Sequence, residues 1–542
     1  MKLAFVFLAL IAASANAATK PNIVFILADD LGIGDTKCYG GDRCLIETPN
    51  IDALAAGGVR FTNAHVTASV CGPSRQAMMT GRYNWRYAGP TSSGPWGFVG
   101  PRPGTEKSTL GKVLKRVGYH TGYVGKWHLG TKMATLDGKP QGPANVDFSR
   151  PLTYGPVQFG FDESFILPGS LDMFPYAFIQ NNVWQGAVTA QKGWSAFHRV
   201  GPAAEDFEDY EVLENFFRQA ESFIDEQKED QPFFFFLALT APHTPISPGL
   251  AWQGKSKLGV YGDLVMEVDH SVERVMNALK AKGFDKNTLV MFSSDHGPAP
   301  YAGNILKATA GQIRDLEAKG HFSNGPHRGY KFSVYEGGLH VPLIANWAGV
   351  TPPGKTCDAL VGTNDLIATL ADVSGATLGD EEAPDSISFA KLLREPEANG
   401  TRKNLIMESV VHFVVRDGDW KLCLCPGSGT PPAADVFVGN DPPPEVAWQA
   451  AMEKFTNKPT EMDLLKAPFV QLFDVSKDPH EDHNLAAEYP ERVEKMVGLL
   501  KQQIEDGRST PGQALTNENQ VRIVDLNDKR LPENVRVRLM AP

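Results

Sequence analysis

Cys71-Gly72-Pro73-Ser74-Arg75 places a thiol at the start of a segment that reads as a helix. Pro73 suits the first helical turn, and Gly81 suits the position just past the last one. A helix N-terminus offers free N–H groups and a positive dipole end, which together favour an anion. An ordinary free cysteine is more often a small apolar residue of the core. This one stands instead at a turn built to receive negative charge.

Two acidic sites stand at strand ends. Asp29-Asp30 follows the apolar run Asn22 to Ala28, and Asp295-His296 follows Thr288 to Ser294. Neighbouring carboxylates repel unless a positive group lies between them, and a divalent cation removes the penalty. Oxygen donors favour a hard ion, Ca²⁺ or Mg²⁺. His296 brings a softer ligand, of the kind also used for Zn²⁺ or Mn²⁺. Lys126, His128, His243 and Lys331 add cationic and titratable groups further along the chain.

The segments that carry these residues alternate between strand and helix. Asn22–Ala28, His120–Gly125, Phe233–Leu239 and Thr288–Ser294 read as buried strands. Ile51–Ala56, Thr109–Val117, Phe207–Lys228 and Tyr261–Lys282 read as helices. The alternation predicts an α/β fold, a large, mostly parallel sheet sandwiched by helices, with its site at the carboxyl ends of the strands. Beyond residue 400 the pattern changes. Leu405–Val415, Asp417–Cys425 and Gln471–Val475 read as short strands of a smaller antiparallel sheet, covered by a helix at Val493–Ile504. Pro426–Pro444 reads as a loop, and the chain beyond about 505 is polar and poorly patterned. The expected division is 18–400 for the large unit, 401–505 for the α+β unit and 506–542 for the tail.

Residues 1–17 read as a secretory signal: Lys2 is the basic start, Leu3–Ala13 the apolar run, and Ala15-Asn16-Ala17 a small-residue cleavage site. The run is too short to span a bilayer, so the expectation is a secreted or periplasmic protein without stable membrane insertion. The formal net charge of the 542 residues is −11, which disfavours nucleic acid as a partner. Of the six cysteines, Cys38 and Cys44 flank a Gly-rich loop and could pair; Cys423 and Cys425 are too close along one strand to bridge each other. No zinc-ligand spacing is present.

The cysteine signature, with Gln76–Arg82 behind it, resembles the modification signature of the type I formylglycine-dependent sulfatases of the alkaline phosphatase superfamily. Further segments resemble that family in order: Pro21–Val24 through Asp30, Thr48–Asp52, Gly125–Gly130, Pro242–Pro245, Ser294–Gly297, Lys331 with Tyr335–Gly338, and Leu472–Asp474 through Asp478-Pro479 to Asn484-Leu485. The resemblance implies an alkaline-phosphatase-like fold and hydrolysis of sulfate esters, of sulfated sugars or aryl sulfates. It implies that Cys71 is oxidised by a separate formylglycine-generating enzyme to an aldehyde whose hydrate is the nucleophile. Asp29, Asp30, Asp295 and His296, with the modified Cys71, would hold the metal, most often Ca²⁺ in the family. Arg75 would hold the hydrate. Lys126 and Lys331 would hold sulfate oxygens. His128 would take the proton of the second hydroxyl, and His243 would protonate the leaving oxygen. Ser170, in Gly169-Ser170-Leu171-Asp172, would stand near that histidine and the substrate. Two rival readings are a phosphonate or phosphodiester hydrolase of the same superfamily and an inactive relative that only binds sulfated sugars.

Overall fold

A computed structural model of the chain describes residues 20–87, 96–102, 104, 107–193, 199–300, 302, 312–409, 411–429 and 467–540. The segment read as a secretory signal and most of the 426–444 loop lie outside these. Ten strands form the large sheet. They are β1 Asn22–Ala28, β2 Val59–Phe61, β3 His120–Lys126, β4 Glu163–Leu167, β5 Ile179–Gln180, β6 Val183–Trp184, β7 Phe233–Ala238, β8 Thr288–Ser294, β9 Leu343–Trp347 and β10 Lys355–Cys357. Their order across the sheet is β10-β2-β9-β8-β1-β7-β3-β4-β5-β6. The central strands β8, β1, β7, β3 and β4 run parallel, and β9, β5 and β6 are antiparallel to their neighbours.

Besides three short helices at Lys37–Gly40, Gln312–Glu317 and Glu336–Leu339, the helices are α1 Pro49–Ala56, α2 Cys71–Thr80, α3 Leu110–Lys115, α4 Val212–Asp225, α5 Val260–Ala281 and α6 Leu366–Ser374 in the large unit, then α7 Pro490–Glu505 and α8 Glu533–Met540. The run Phe233–Phe236 explains why both faces of the sheet need cover. Successive side chains of a strand point to opposite faces. Phe233 and Phe235 pack on Phe223 of α4, while Phe234 and Phe236 pack on Phe161 and Tyr123. All four are buried. α5 packs on α4, where Arg274 meets Glu214 and Glu221, and buries the helical stripe Leu264, Val265, Val268, Val272 and Val275. No described helix is long and apolar enough to cross a membrane.

Strands β11 Asn404–Glu408, β12 Phe413–Asp417, β13 Trp420–Cys423 and β14 Gln471–Asp474 form the small antiparallel sheet in that order. The single strand expected over Leu405–Val415 is therefore two, paired as a hairpin from Asn404 opposite Asp417 to Glu408 opposite Phe413. α7 buries Val493, Met496, Val497 and Leu500 in the core of this unit. That core also takes in Tyr83, Trp85, Val334 and Tyr335, from segments next to Cys71 and Lys331.

Other expectations shift. The helix read from Phe207 begins as an α-helix at Val212, after a 3₁₀ turn at Asp209–Glu211. The poorly patterned tail carries a helix: α8 packs on α7 and buries Val535. Arg86 ties the tail to the large unit, donating to Asn517 Oδ1 at 3.0 Å and to both oxygens of Asp385 at 2.8 Å. Cys38 and Cys44 do not pair, and none of the six cysteines is in a disulfide. Cys38 Sγ points to Thr36 and Cys44 Sγ to the carbonyl of Ile46.

Candidate active site

The carboxyl ends of β1, β8 and β3 converge, and the N-terminus of α2 closes over them. Register brings this about: Ala28 pairs with Ser294, so Asp29-Asp30 and Asp295-His296 leave the sheet side by side. On the other side Ala238 of β7 pairs with Gly125 of β3. Gly125 has φ 120°, and a Cβ there would lie 1.8 Å from the carbonyl oxygen of Ala238. Only glycine permits that approach, which delivers Lys126 to the site.

Lys126 Nζ donates to both oxygens of Asp29, at 2.7 and 2.8 Å. Lys331 Nζ does the same to Asp30, at 2.9 and 3.0 Å. Arg75 Nε donates to Asp295 Oδ2 at 2.9 Å, and its other arm lies 3.3 Å from Asp29. Cys71 Sγ is 3.1 Å from His296 Nε2 and 4.0 Å from Asp30 Oδ1. His296 Nε2 is 3.2 Å from Asp30 Oδ1 and 3.6 Å from Asp295 Oδ1. His243 Nε2 lies 3.7 Å from Asp30 Oδ2. Ser170 Oγ is 3.4 Å from His243 Nδ1, whose nearest acceptor is the carbonyl of Thr244 at 2.6 Å. Thus Asp29, Asp30, Cys71, Arg75, Lys126, Ser170, His243, Asp295, His296 and Lys331 form one buried cluster. His128 stands at its edge, within reach of the charges of Lys126, Arg75 and Asp29.

Three residues near this cluster are held with left-handed backbones although none is glycine: Asp30 at φ 61°, His128 at φ 52° and Phe332, next to Lys331, at φ 74°. Such conformations cost about 1–3 kcal/mol each and persist where the surroundings impose them. Here each aims or neighbours a charged side chain.

Burial and neighbouring charge set the protonation states. For Asp29, burial opposes ionisation, but Lys126, His243, Arg75 and Lys331 outweigh it and hold the carboxyl well below its usual range. For Asp30, burial wins over Lys331 and His296 and lifts the group to about 7. Burial first, then Lys126, Arg102 and Arg75, keep His128 well below the usual imidazole value. Burial and Lys331 do the same to His243. Burial raises the thiol of Cys71.

The donors fit a divalent cation. The ligand atoms of Asp29, Cys71, Asp295 and His296 lie within 4.8 Å of one another, as do those of Asp30, Cys71 and His243. Asp29, Asp30 and Asp295 face Lys126, Lys331 and Arg75, so their charges balance. A dication added to that balance makes the site net positive, which suits an anionic ester despite the chain's negative total. A third group, His65, Glu336 and His340, also brings its ligand atoms together. Its carboxylate is already taken: Lys421 lies 2.9 Å and Arg416 3.4 Å from Glu336 Oε1, and His65 2.7 Å from Oε2. It ties the small sheet to the large unit.

Two neighbours escaped the sequence reading as site residues. Asp172 Oδ1 lies 4.0 Å from His243 Nδ1, and Arg102 lies against Gly72, donating to the carbonyl of His128 at 3.3 Å. The only signal for Asp172 was its place two residues after Ser170; Arg102 had none.

The fold and this site define a class that the comparisons name. The Sulfatase family pattern matches residues 21–376, so the chain belongs to the sulfatase family and is a sulfuric ester hydrolase. It is 30% identical to an N-acetylgalactosamine-6-O-sulfatase of Bacteroides thetaiotaomicron, over 89% of this chain and 93% of that protein. It is 32% identical to human arylsulfatase A, over 91% and 90%. A solved structure of a Bacteroides thetaiotaomicron 6S-sulfatase, from a locus for the metabolism of multiple glycosaminoglycans, superposes with a TM-score of 0.73 at 30% identity. It covers 89% of this chain and 99% of that one.

Proposed function

We propose that this sulfatase is exported and desulfates sulfated carbohydrates, using a formylglycine made from Cys71 and a divalent cation, Ca²⁺ by preference. The observation that carries the reading is the meeting of Cys71, three carboxylates, three cations and His243 in one buried cluster at the strand ends. Relatives named for N-acetylgalactosamine 6-sulfate support a sulfated amino sugar as substrate. The signal-like segment at 1–17 supports export, where such polymers are met.

Asp29, Asp30, Asp295 and His296 would hold the cation, which neutralises the clustered carboxylates and lowers the pKa of a hydroxyl it touches. A formylglycine at position 71 would supply, as its hydrate, a geminal diol whose hydroxyl serves as the nucleophile toward sulfur. Lys126 and Lys331 sit on the carboxylates that a cation would neutralise, and so become available to sulfate oxygens, which gain charge as the S–O bond breaks. Arg75 orients the Cys71 side chain from the same helix. His128 is held neutral, and its buried Nδ1 has no hydrogen-bond partner among the described residues, so it is ready to take a proton. His243 is turned by the Thr244 carbonyl so that Nε2 faces Asp30 and the cluster. An arriving sulfate opposes the field of Lys331 and Lys126, makes Nε2 easier to protonate, and lets it serve the leaving oxygen.

The test is sulfate release by the mature enzyme from N-acetylgalactosamine 6-sulfate, compared with its 4-sulfated isomer and with nitrophenyl sulfate and bis-nitrophenyl phosphate. Turnover of the 6-sulfate above all others supports the reading. Preference for the phosphodiester would move the chain to the rival chemistry.

A further inference from the structure

With the sulfate on Lys126 and Lys331 and the leaving oxygen at His243 Nε2, the sugar would lie against His243. Asp172 borders the same ring on its Nδ1 side. It follows Ser170 in the loop after β4, and it is 3% exposed. Its Oδ2 accepts from Arg199 Nη1 at 2.5 Å. Its Oδ1 is buried, 4.0 Å from His243 Nδ1, and accepts no hydrogen bond among the described residues. His243 Nδ1 already has the Thr244 carbonyl at 2.6 Å, so Asp172 is not needed to orient that ring.

A buried carboxylate oxygen left without a donor is costly and asks for an explanation. The wall that holds this one is built as a unit. Arg199 also donates to the backbone carbonyl of Asp172 at 3.3 Å, and its own carbonyl accepts from Tyr176 Oη at 2.8 Å. Gly201 leaves room for the ring of Phe174, which a Cβ would meet at 2.2 Å. A ligand hydroxyl is the donor that such an acceptor fits. Sugars carry hydroxyls next to the sulfated position; a simple aryl sulfate carries none.

We infer that Asp172, braced by Arg199, determines specificity by accepting a hydrogen bond from a free hydroxyl of the sulfated sugar. The inference rests on the sulfatase reading above. Its test compares wild type with Asp172→Ala and the closer mimic Asp172→Asn, each checked for an unchanged melting transition. On N-acetylgalactosamine 6-sulfate, kcat/KM of the Ala variant should fall on the order of 100-fold, the size of a lost charged hydrogen bond. On nitrophenyl sulfate the fall should be at least about 10-fold smaller. Equal losses on both substrates, or no loss on the sugar, would overturn the inference.

A separate titration of the sulfate-free sugar, followed by protein NMR, does not depend on turnover. Binding weakened in the Ala variant supports the inference; unchanged binding overturns it and makes Asp172 a positioning residue for His243, whose impairment would also cost more on the sugar sulfate than on nitrophenyl sulfate. Wild type inactive on every sulfate ester would count against the function proposed above, and this titration would still decide the role of Asp172.

Discussion

The ammonium of Lys126 sits 2.7 and 2.8 Å from the two carboxylate oxygens of Asp29, with both side chains wholly buried. The pair joins the end of β3 to the end of β1 across the intervening strand. Removing one partner of such a pair strands the other charge, at about 3–5 kcal/mol. A bound dication would take over the charge of Asp29. Lys126→Met is therefore expected to lower the melting temperature strongly in chelator and much less in excess Ca²⁺. Thermal melts under the two conditions check this, and an equal drop in both would show that no cation reaches Asp29.

Asp30 gives a pH dependence with a definite sign. Burial lifts its carboxyl to about 7 despite Lys331 and His296, so in the ion-free protein it is largely protonated below pH 7 and ionised above. A cation needs the ionised form and must displace the proton. Ca²⁺ affinity should fall by up to tenfold per pH unit as pH drops below about 7, and level off above it. Calorimetry in buffers of different ionisation enthalpy would count the proton released. Asp30→Asn should remove both the slope and most of the affinity. An affinity flat from pH 5.5 to about 8 would show that Asp30 is not a ligand or is ionised throughout.

The two histidines should fail in different ways. If His243 protonates the leaving oxygen, His243→Ala should cost about 10²–10⁴-fold on a sugar sulfate and much less on nitrophenyl sulfate, whose leaving group needs little protonation. His128 is kept neutral by burial, then by Lys126 and Arg102, so its loss of base function on acidification should begin well below the ordinary imidazole range. Arg102→Met removes one of those cations and should move the acid limb of the pH–rate profile upward. A limb that stays in place would assign it to another group. Leaving-group series and pH profiles on the single variants make both measurements.

Much of this site is legible in the chain because strand ends are legible. The apolar runs 22–28 and 288–294 end in acidic residues, and a parallel sheet gathers such ends at one edge. The role of Asp172 is not, because a loop and a distant arginine place it. The hairpin at 404–417 hides in the run Leu405–Val415, whose polar residues Glu408, Ser409 and His412 include no glycine, proline or Asn-Gly to mark its turn. The tail reads as polar because its packing is made by scattered residues. Val535 fills a gap against α7, and Asn517 receives Arg86, neither with a period to detect.

The claim on which the rest depends is that Cys71 is the precursor of the nucleophile. It is tested by peptide mass spectrometry of enzyme purified from its native host, with activity measured on the same sample. In active enzyme the peptide bearing Cys71 should be about 18 Da lighter than its thiol form, and should react with a carbonyl reagent but not with an alkylating one. Fully active enzyme in which Cys71 remains an alkylatable thiol would contradict the account.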